Sequence, residues 1–210
     1  MKIINASYEI LTPINGEQIL KDIEKIGRTC YKSENLITED SSKIFVRNLI
    51  KCGHEAMLEH NNITVRFICD RGVSHELVRH RLASFAQEST RYCNYSKDKF
   101  GNELTFIKPC FWNNETNVNY LNWENVLENI ECAYFGMLKC GAPPEQARNI
   151  LPNSLKTEVV MSANIREWRH FFKLRCDKAA HPQMRELAIP LCKELQKKIP
   201  VVFDDIEVIR

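Results

Sequence analysis

Apolar residues recur along much of the chain three or four positions apart, which is the spacing of amphipathic helices. This pattern predicts a helix wherever the apolar positions share one face and caps, Gly or Pro mark the ends. The predicted helices span residues 17–27, 40–51, 72–81, 123–139, 143–151, 164–175 and 183–198. Other segments mix or alternate apolar and polar residues, which is typical of strands. The predicted strands span residues 2–11, 63–69, 104–108 and 155–162, and residues 85–94 are predicted to form a loop.

One charged residue interrupts the apolar face of helix 164–175. Ile165, Trp168 and Phe172 fall at positions i, i+3 and i+7, and continuation of this stripe reaches Arg175. A guanidinium on a core-facing stripe must find an anion or several acceptors, because an unpaired buried charge is very costly. Alternatively, the side chain extends past Phe172 to solvent or pairs with Asp177.

A polar stretch with many functional groups spans residues 79–92. It holds three arginines, an imidazole, several hydroxyls, an amide and one carboxylate. Guanidiniums bind phosphate oxygens in pairs, and hydroxyls fill the remaining acceptor sites. The stretch is therefore suited to a phosphorylated small molecule, and a solvated basic turn is the alternative. Glu76 lies one helical turn before Arg79 and His80, where it forms either a plain ion pair or part of this site.

Composition narrows the functional classes. The chain has 210 residues, of which 44% are apolar, and this is enough for a core within a single domain. The net charge of +2 gives no general reason to expect binding to nucleic acid or a membrane, and no apolar run is long enough to span a bilayer. The nine cysteines include no Cys-x-x-Cys pair, so we expect reduced thiols in a cytoplasmic protein without a signal peptide.

No metal site is expected. His54-Glu55 resembles the start of a zinc-protease motif, but that motif requires its second histidine four residues after the first. In this chain His60 lies six residues after His54, which spoils the shared helix face.

Two other hypotheses remain open. The first is a nucleic-acid-binding module that uses the basic patch of residues 79–81, against which the nearly neutral net charge argues. The second is a pyrimidine methylase with Cys110 as its nucleophile, because Pro109-Cys110 resembles the Pro-Cys pair of the classical thymidylate synthases, although Phe111 stands where they have histidine. Only Lys108 lies nearby in sequence to activate that thiol, so a structural role for Cys110 is favoured.

The polar stretch fits the pattern Arg-His-Arg-x-x-Ser-x-x-x-x-Ser-x-Arg and so resembles the signature of the flavin-dependent thymidylate synthases. Further similar segments follow in the order of that family, at residues 28–31, 53–55 with 59–60, 147–152, 164–166 and 174–175. The resemblance implies one α+β domain over residues 1–210, with helices around a mostly antiparallel sheet. It also implies a homotetramer with active sites at subunit interfaces. The implied reaction is reductive methylation of dUMP to dTMP, with methylenetetrahydrofolate as carbon donor, FAD as hydride carrier and NADPH as reductant.

The same resemblance assigns roles to individual residues. The residues implied to contact FAD are His54, Ala56, Arg79, His80, Arg81, Gln87, Asn164, Ile165, Arg166 and His170. The residues implied to contact dUMP are Glu76, Leu77, Val78, Arg79, Gln87, Glu88, Ser89, Thr90, Arg91, Arg148 and Arg175. Arg175 is also the implied catalytic residue, which activates the uracil ring.

The chain departs from many members of the family at two of these positions. Gln87 stands where those members have a glutamate, so the expected FAD contact is an amide instead of a carboxylate. Glu76 stands where some members have glutamine, and its carboxylate is unfavourable near a phosphate unless it faces Arg79 or a ribose hydroxyl. The expected electrostatic role suits Arg175, because a guanidinium stays protonated and stabilises negative charge that develops on the ring.

Overall fold

The computed structural model describes residues 1–112, 114 and 116–208. The chain divides into two compact units, each assembled from separate stretches of sequence. Unit 1 comprises Met1–Ser7, Phe67–Arg79 and Ala86–Val160, and unit 2 comprises Tyr8–Arg66, His80–Phe85 and the chain from Met161 onward.

The strands form a pair and a four-stranded sheet. In chain order they are β1 (Lys2–Ile4), β2 (Ser7–Ile10), β3 (Asn62–Asp70), β4 (Ala83–Gln87), β5 (Thr105–Ile107) and β6 (Lys156–Asn164). Strands β1 and β5 pair in parallel, with Lys2 opposite Thr105, and the larger sheet has the order β2-β3-β6-β4. The α+β class with an antiparallel sheet is therefore confirmed.

The alternating pattern predicted β3 well, and the mixed apolar segment 155–162 predicted the existence of β6. Every second residue of β3 from Ile63 to Cys69 is buried, and the same alternation holds from Thr157 to Ala163 in β6. The predicted strand at residues 2–11 is wrong in one respect, because it is interrupted between β1 and β2. Strand β1 pairs with β5, whereas β2 lies beside β3 in the larger sheet. The hydrophobic pattern contains no signal for that change of partner.

The helices agree with the predicted ones at most of their ends. They are α1 (Gly16–Tyr31), α2 (Ser41–Lys51), α3 (Arg71–Leu77), α4 (Val118–Lys139), α5 (Pro144–Ala147), α6 (Ile165–Arg175) and α7 (Pro182–Lys198). Side-chain caps explain three of the starts: the oxygens of Asn15, Asp70 and Asn164 accept hydrogen bonds from backbone amides three residues ahead, at 2.8–3.1 Å. Across the described residues, no helix is long and apolar enough to cross a membrane.

Two predictions around the polar stretch are wrong. Helix α3 ends at Leu77, four residues before the predicted end, and residues 83–87 form strand β4 where a loop was predicted. Strand β4 lies beside β6 in the sheet order, so strand pairing overrides the weak local pattern. The turn between α3 and β4 contains Leu82 with a φ of 62°, a left-handed conformation that is costly for a branched side chain.

Each unit has its own buried apolar core. In unit 1 it consists of Tyr95, Leu104, Phe106, Leu127, Tyr134, Ala147 and Leu155. In unit 2, Trp168 stacks on Phe172 with ring centroids 5.8 Å apart, and its indole Nε1 donates to the carbonyl oxygen of Ile63 at 3.0 Å. The stripe predicted for helix 164–175 is therefore the buried face of α6.

Helix α6 also carries a fully buried arginine, Arg169, with 1% of its surface exposed. Its guanidinium donates to both carboxylate oxygens of Asp205 at 2.6 and 2.7 Å and to Glu55 at 3.1 Å. It also donates to the carbonyl oxygen of Val202. These charge-assisted bonds fasten the segment after α7 and the turn at Glu55–His60 to α6, and so fix the helix that bears Arg175.

Candidate active site

The side chain at the centre of unit 2 is His80, the second residue of the signature. Its imidazole is 5% exposed, whereas the neighbouring Arg81 is exposed. The Nε2 atom accepts a hydrogen bond from Nε of Arg175 at 3.0 Å, and Nδ1 lies 3.3 Å from Oε1 of Glu167. The ring of Phe171 packs edge-on against the imidazole at a centroid distance of 5.0 Å. We call Glu167, His80 and Arg175 the His80 cluster.

The His80 cluster is arranged around a neutral imidazole. Burial first, and then the nearby charges of Arg175 and His170, together lower the pKa of His80 from 6.5 to about 4. The pKa of Glu167 is raised by burial, against a smaller opposing effect of His170. A neutral ring also agrees with the geometry, because an arginine Nε–H can only donate and therefore requires a lone pair on Nε2.

Helix α6 places Arg175 within reach of His80. Its buried stripe ends at Arg175, which is half-buried at the last position of the helix. The sequence left three possibilities for this guanidinium: an anion or acceptors, solvent, or Asp177. In the structure the guanidinium donates to the imidazole of His80. The sequence around Arg175 could not predict this acceptor, because His80 lies far away along the chain.

Three side chains of this region also have the composition of a metal site. One ligand atom each from His80, Glu167 and His170 lie within 4.8 Å of one another. However, both ring nitrogens of His80 already face other groups, and one of those groups is the cationic guanidinium of Arg175. A cation at this point meets the repulsion of that charge, so the geometry favours the hydrogen-bonded arrangement over metal binding.

A cavity of about 400 Å³ lies next to the His80 cluster within unit 2. Its lining includes three residues that the resemblance assigned to FAD, namely Asn164, Arg166 and His170. Leu82 also lines it, with 79% of its surface exposed. Ile165 differs from the other assigned residues of this segment, because its side chain is completely buried and only its backbone can reach a ligand.

Two further residues assigned to FAD lie at the turn before β3. Ala56 is exposed within the short 3₁₀ helix Glu55–His60, and His54 is exposed just before it. The hydroxyl of Tyr31 lies 2.9 Å from Nδ1 of His54, which limits the orientations of that ring. Arg166 on α6 pairs with Glu59 of the same turn at 2.5 Å.

Unit 1 holds most of the residues assigned to dUMP. Gln87 and Glu88 line a cavity of about 730 Å³. The amide of Gln87 donates to the hydroxyls of Ser74 at 2.9 Å and Thr157 at 3.2 Å. Glu88 accepts hydrogen bonds from Lys156 at 3.0 Å and Tyr95 at 2.9 Å.

Lys156 bonds to a second carboxylate of this cavity, that of Glu158, at 2.7 Å. We call Glu88, Tyr95, Lys156 and Glu158 the Lys156 cluster. Burial acts to lower the pKa of Lys156, but the hydrogen bonds to the two carboxylates outweigh it and raise the pKa. The ammonium of Lys156 therefore stays protonated within this cluster.

The other residues assigned to dUMP differ in their exposure. Arg91 and Arg148 are exposed, and Nε of Arg91 lies 3.9 Å from a carboxylate oxygen of Glu145. Thr90 is buried and Ser89 is half-buried. At the end of α3, Arg79 and Val78 are exposed and Glu76 is half-buried, but Leu77 is completely buried, so its side chain cannot contact a ligand.

Sequence analysis missed Glu167 and Lys156, the partners that hold His80 and Glu88. Both carried a weak signal. Glu167 lies three residues before His170 on one predicted helix, and Lys156 and Glu158 lie two apart on one predicted strand, where side chains share a face. Neither spacing indicates the third partner, because that partner comes from a distant part of the chain.

The fold is an α+β fold with buried or half-buried polar clusters in both units, and comparison with known proteins identifies the family. The structure resembles that of a UMP/dUMP methylase PolB from Streptomyces cacaoi bound with 5-Br dUMP, with a TM-score of 0.78, 22% identity, and coverage of 97% of this chain and 96% of that chain. At this identity the likeness shows the fold.

A sequence model of the thymidylate synthase complementing protein family matches residues 15–201. The flavin-dependent thymidylate synthase of Geobacter sulfurreducens is 32% identical over 85% of this chain and 78% of its own length. That of Corynebacterium glutamicum is 31% identical over 97% of this chain and 85% of its own length. The chain belongs to this family, the flavin-dependent thymidylate synthases, and is an enzyme of the methyltransferase class.

Proposed function

We propose that this chain catalyses the reductive methylation of dUMP to dTMP, with methylenetetrahydrofolate as carbon donor, FAD as hydride carrier and NADPH as reductant. The observation that carries the proposal is the family match over residues 15–201. Because this match includes segments of both units, the proposal treats residues 1–210 as a single enzyme domain.

Arg175 is the catalytic residue of the proposal. The uracil carbon that accepts the methyl group is a weak nucleophile, and it becomes reactive when negative charge on the ring oxygens and N3 is stabilised. A guanidinium provides that stabilisation because it stays protonated, and it does so best when its orientation is fixed before the reaction. The hydrogen bond to neutral His80 supports this role, since a neutral acceptor orients the guanidinium without cancelling its charge.

The phosphate and sugar of dUMP are assigned to the basic residues and hydroxyls of the signature and its companions. Arg91 and Arg148 are exposed cations, and such guanidiniums bind phosphate oxygens in pairs. The remaining assigned contacts are those of Glu76, Leu77, Val78, Arg79, Gln87, Glu88, Ser89 and Thr90. For Leu77 the contact is through the backbone, because its side chain lies in the core.

The residues of unit 2 fit a flavin. Asn164, Arg166 and His170 line one cavity, and guanidinium and imidazole N–H groups are donors suited to a diphosphate or to the carbonyl oxygens of a flavin ring. Arg81 adds an exposed guanidinium to this unit, and Leu82 adds apolar surface. Arg79, which belongs to unit 1, keeps the contact with FAD that the resemblance implies. FAD, when bound and reduced, supplies the hydride of the reaction, and these residues bind and orient it.

Two more residues, Ala56 and His54, are assigned to the binding of FAD and folate. Ala56 has a small exposed side chain that permits close approach of a ligand, and His54 is held by Tyr31 beside the same turn. We assign His54 to the place where the folate stacks against the flavin. His80 remains assigned to the flavin region, where its buried ring acts through Arg175.

The proposal includes a homotetramer in which different subunits complete each site. Exposed apolar side chains support such assembly: on α4, Val118, Leu121 and Val126 are 69%, 49% and 53% exposed. Scattered apolar residues are normal on a monomer, but three large ones within the first half of a single helix suit a surface that another chain covers. Sedimentation of the purified protein tests this assignment, and a monomer at assay concentration contradicts it.

The decisive experiment uses the purified protein. Its absorption spectrum is expected to contain bound flavin, which NADPH bleaches without oxygen and which returns when dUMP and methylenetetrahydrofolate are added. Mass spectrometry is expected to detect dTMP as the product. A colourless protein that forms no dTMP contradicts the proposal.

Matched experiments address the other two hypotheses. Replacement of Cys110 by Ala is expected to leave turnover intact, because the proposed reaction uses FAD and Arg175 and requires no cysteine nucleophile. Loss of turnover in that variant supports a cysteine nucleophile instead. Tight binding to DNA or RNA that weakens steeply with added salt supports a nucleic-acid-binding module.

A further inference from the structure

The hydrogen bonds of His80 determine which of its ring nitrogens carries the proton. Nε of Arg175 is a donor and lies 3.0 Å from Nε2, so Nε2 bears the lone pair. In the neutral ring the proton is then on Nδ1, which lies 3.3 Å from the carboxylate oxygen Oε1 of Glu167. A carboxylate accepts from that proton, so the donors and acceptors alternate correctly from Arg175 through His80 to Glu167.

We infer that Glu167 is a positioning residue: it fixes the Nδ1–H tautomer of His80, and the lone pair on Nε2 then holds the guanidinium of Arg175 in its catalytic orientation. This inference rests on the proposed catalytic role of Arg175. It assigns a task to a carboxylate that the sequence did not single out and that lies on the same helix as Arg175, two turns earlier.

Because His80 and Glu167 are buried, the tautomer of His80 decides whether Arg175 can keep its hydrogen bond. His80 and Glu167 are 5% and 8% exposed, so water competes poorly for their hydrogen bonds. Without an acceptor at Nδ1, the ring can carry its proton on Nε2, and that N–H then faces the Nε–H of Arg175. Two donors in contact repel each other, and Arg175 must turn away.

The position of Glu167 is itself well determined. Its backbone amide donates to Oδ1 of the N-cap residue Asn164 at 2.8 Å, which fixes the first turn of α6. The edge-on contact of Phe171 with His80 restrains the imidazole plane from the same helix. A single rigid element therefore carries the carboxylate, the aromatic restraint and the guanidinium, as precise positioning requires.

The test compares Glu167→Ala and Glu167→Gln with Glu131→Ala as the matched control. Glu131 is a half-buried carboxylate of unit 1 that bonds to the N-terminal amine and to the amide of Leu104. In Glu167→Ala we expect kcat for dTMP formation to fall about 10- to 100-fold, the cost of one misplaced hydrogen bond in a buried site. The KM for dUMP is expected to stay within about threefold of the wild type, and kcat is measured at saturating FAD because Glu167 also lines the cavity assigned to FAD. Glu167→Gln is expected to recover most of the activity, because its amide oxygen can accept from Nδ1–H.

A second readout does not depend on turnover. Nitrogen NMR of the flavin-bound protein with ¹⁵N-labelled histidine distinguishes a protonated from an unprotonated ring nitrogen, and the His80→Gln variant assigns the signals of His80. We expect an unprotonated Nε2 in the wild type and in Glu167→Gln, and a mixture of tautomers in Glu167→Ala.

The two readouts separate this inference from the proposed function. If the wild type forms no dTMP, the proposed function fails, and the NMR experiment still decides the tautomer. If the wild type is active and Glu167→Ala retains both its kcat and the Nδ1–H tautomer, Glu167 does not position Arg175 and the inference is overturned. An equal loss of kcat in Glu167→Ala and Glu167→Gln, with unchanged tautomers, also overturns it.

Discussion

The His80 cluster of unit 2 and the Lys156 cluster of unit 1 surround a cationic side chain with different hydrogen-bond partners. Each holds a cationic side chain away from bulk water with a carboxylate nearby. In the Lys156 cluster the ammonium lies between Glu88 and Glu158 at 3.0 and 2.7 Å, so its charge is cancelled. In the His80 cluster the guanidinium of Arg175 bonds to a neutral imidazole, and the carboxylate is one residue further away.

The difference teaches what each cluster can do. A cation between two carboxylates is stabilised in the ground state, and the electrostatic potential that it exerts on a reacting group is weak because the carboxylates cancel its charge. A cation held by a neutral acceptor is oriented but keeps its charge, which is the requirement for stabilising a developing anion. We therefore expect substitutions in the His80 cluster to act mainly on turnover and substitutions in the Lys156 cluster to act mainly on stability.

The largest expected effect is that of Arg175→Ala. Removal of a preorganised positive charge is expected to lower kcat by about 10²- to 10³-fold, with bound flavin retained. Steady-state assay of dTMP formation measures the loss, and the visible spectrum measures the flavin. The control is Lys178→Ala, which removes an exposed cation just after α6. A turnover in Arg175→Ala equal to that of the control contradicts the catalytic assignment.

The next effect is a dependence of stability on pH that His80 causes. Between pH 6.5 and about 4 the unfolded chain binds a proton at His80 and the folded chain does not, so the free energy of unfolding decreases as the pH falls through this range. From about pH 7.5 to about pH 5 this group accounts for a loss of about 2 kcal/mol.

Urea unfolding at the two pH values measures this dependence. His80→Gln is expected to weaken it by about that 2 kcal/mol, because glutamine does not titrate. His75→Gln, an exposed histidine of α3, is the control and is expected to behave like the wild type. An unchanged pH dependence in His80→Gln contradicts the neutral imidazole, and with it the contrast between the two clusters.

A smaller loss is expected for Lys156→Met. The substitution leaves two half-buried carboxylates without their shared cation, which destabilises unit 1 by about 1.5 kcal/mol after allowance for partial exposure. Urea unfolding measures the change, and Lys97→Met, an exposed lysine, is the control. Addition of Glu158→Gln to Lys156→Met is expected to restore part of the loss. If Lys156→Met instead reduces kcat as strongly as Arg175→Ala, the division of tasks between the clusters is wrong.

The smallest expected effect is that of Leu82→Gly, in the turn just after His80. Leu82 has a φ of 62° and is 79% exposed, so glycine relieves strain and loses little buried surface. We expect stability to increase by about 0.5–1 kcal/mol while flavin binding weakens, because Leu82 lines the cavity assigned to FAD. Leu36→Gly is the control: Leu36 is 55% exposed without a left-handed backbone, so glycine is expected to destabilise there. A Leu82→Gly protein that is less stable than the wild type contradicts strain at this turn.

Part of the candidate site follows from local sequence patterns alone. The stripe Ile165, Trp168 and Phe172 is buried as predicted, and it leads to Arg175 because the helical period alone determines which residues share a face. The alternation of residues 63–69 likewise predicted the buried face of β3. The polar stretch and its companion segments pointed to the family, which the comparisons confirm.

Other features were beyond the reach of sequence patterns. The predicted helix at residues 72–81 continued through the signature, whereas α3 ends at Leu77 and β4 begins at Ala83. Local propensity favoured the helix, but pairing with β6 supplies hydrogen bonds and burial that only the assembled sheet provides. The roles assigned to individual residues for FAD and dUMP stay predictions.

The sequence by itself determined most of the elements, the buried faces of α6 and β3 and the chemical inventory of the site, because these depend on residues close together along the chain. Only the tertiary structure decided that Glu167, His80 and Arg175 meet, and in which order their donors and acceptors alternate. His80 lies 87 positions before Glu167 and 95 positions before Arg175, and contacts at such separations leave no periodic pattern in the sequence. They are selected by the packing of α6 against the segment after α3, and that packing makes His80 a neutral acceptor.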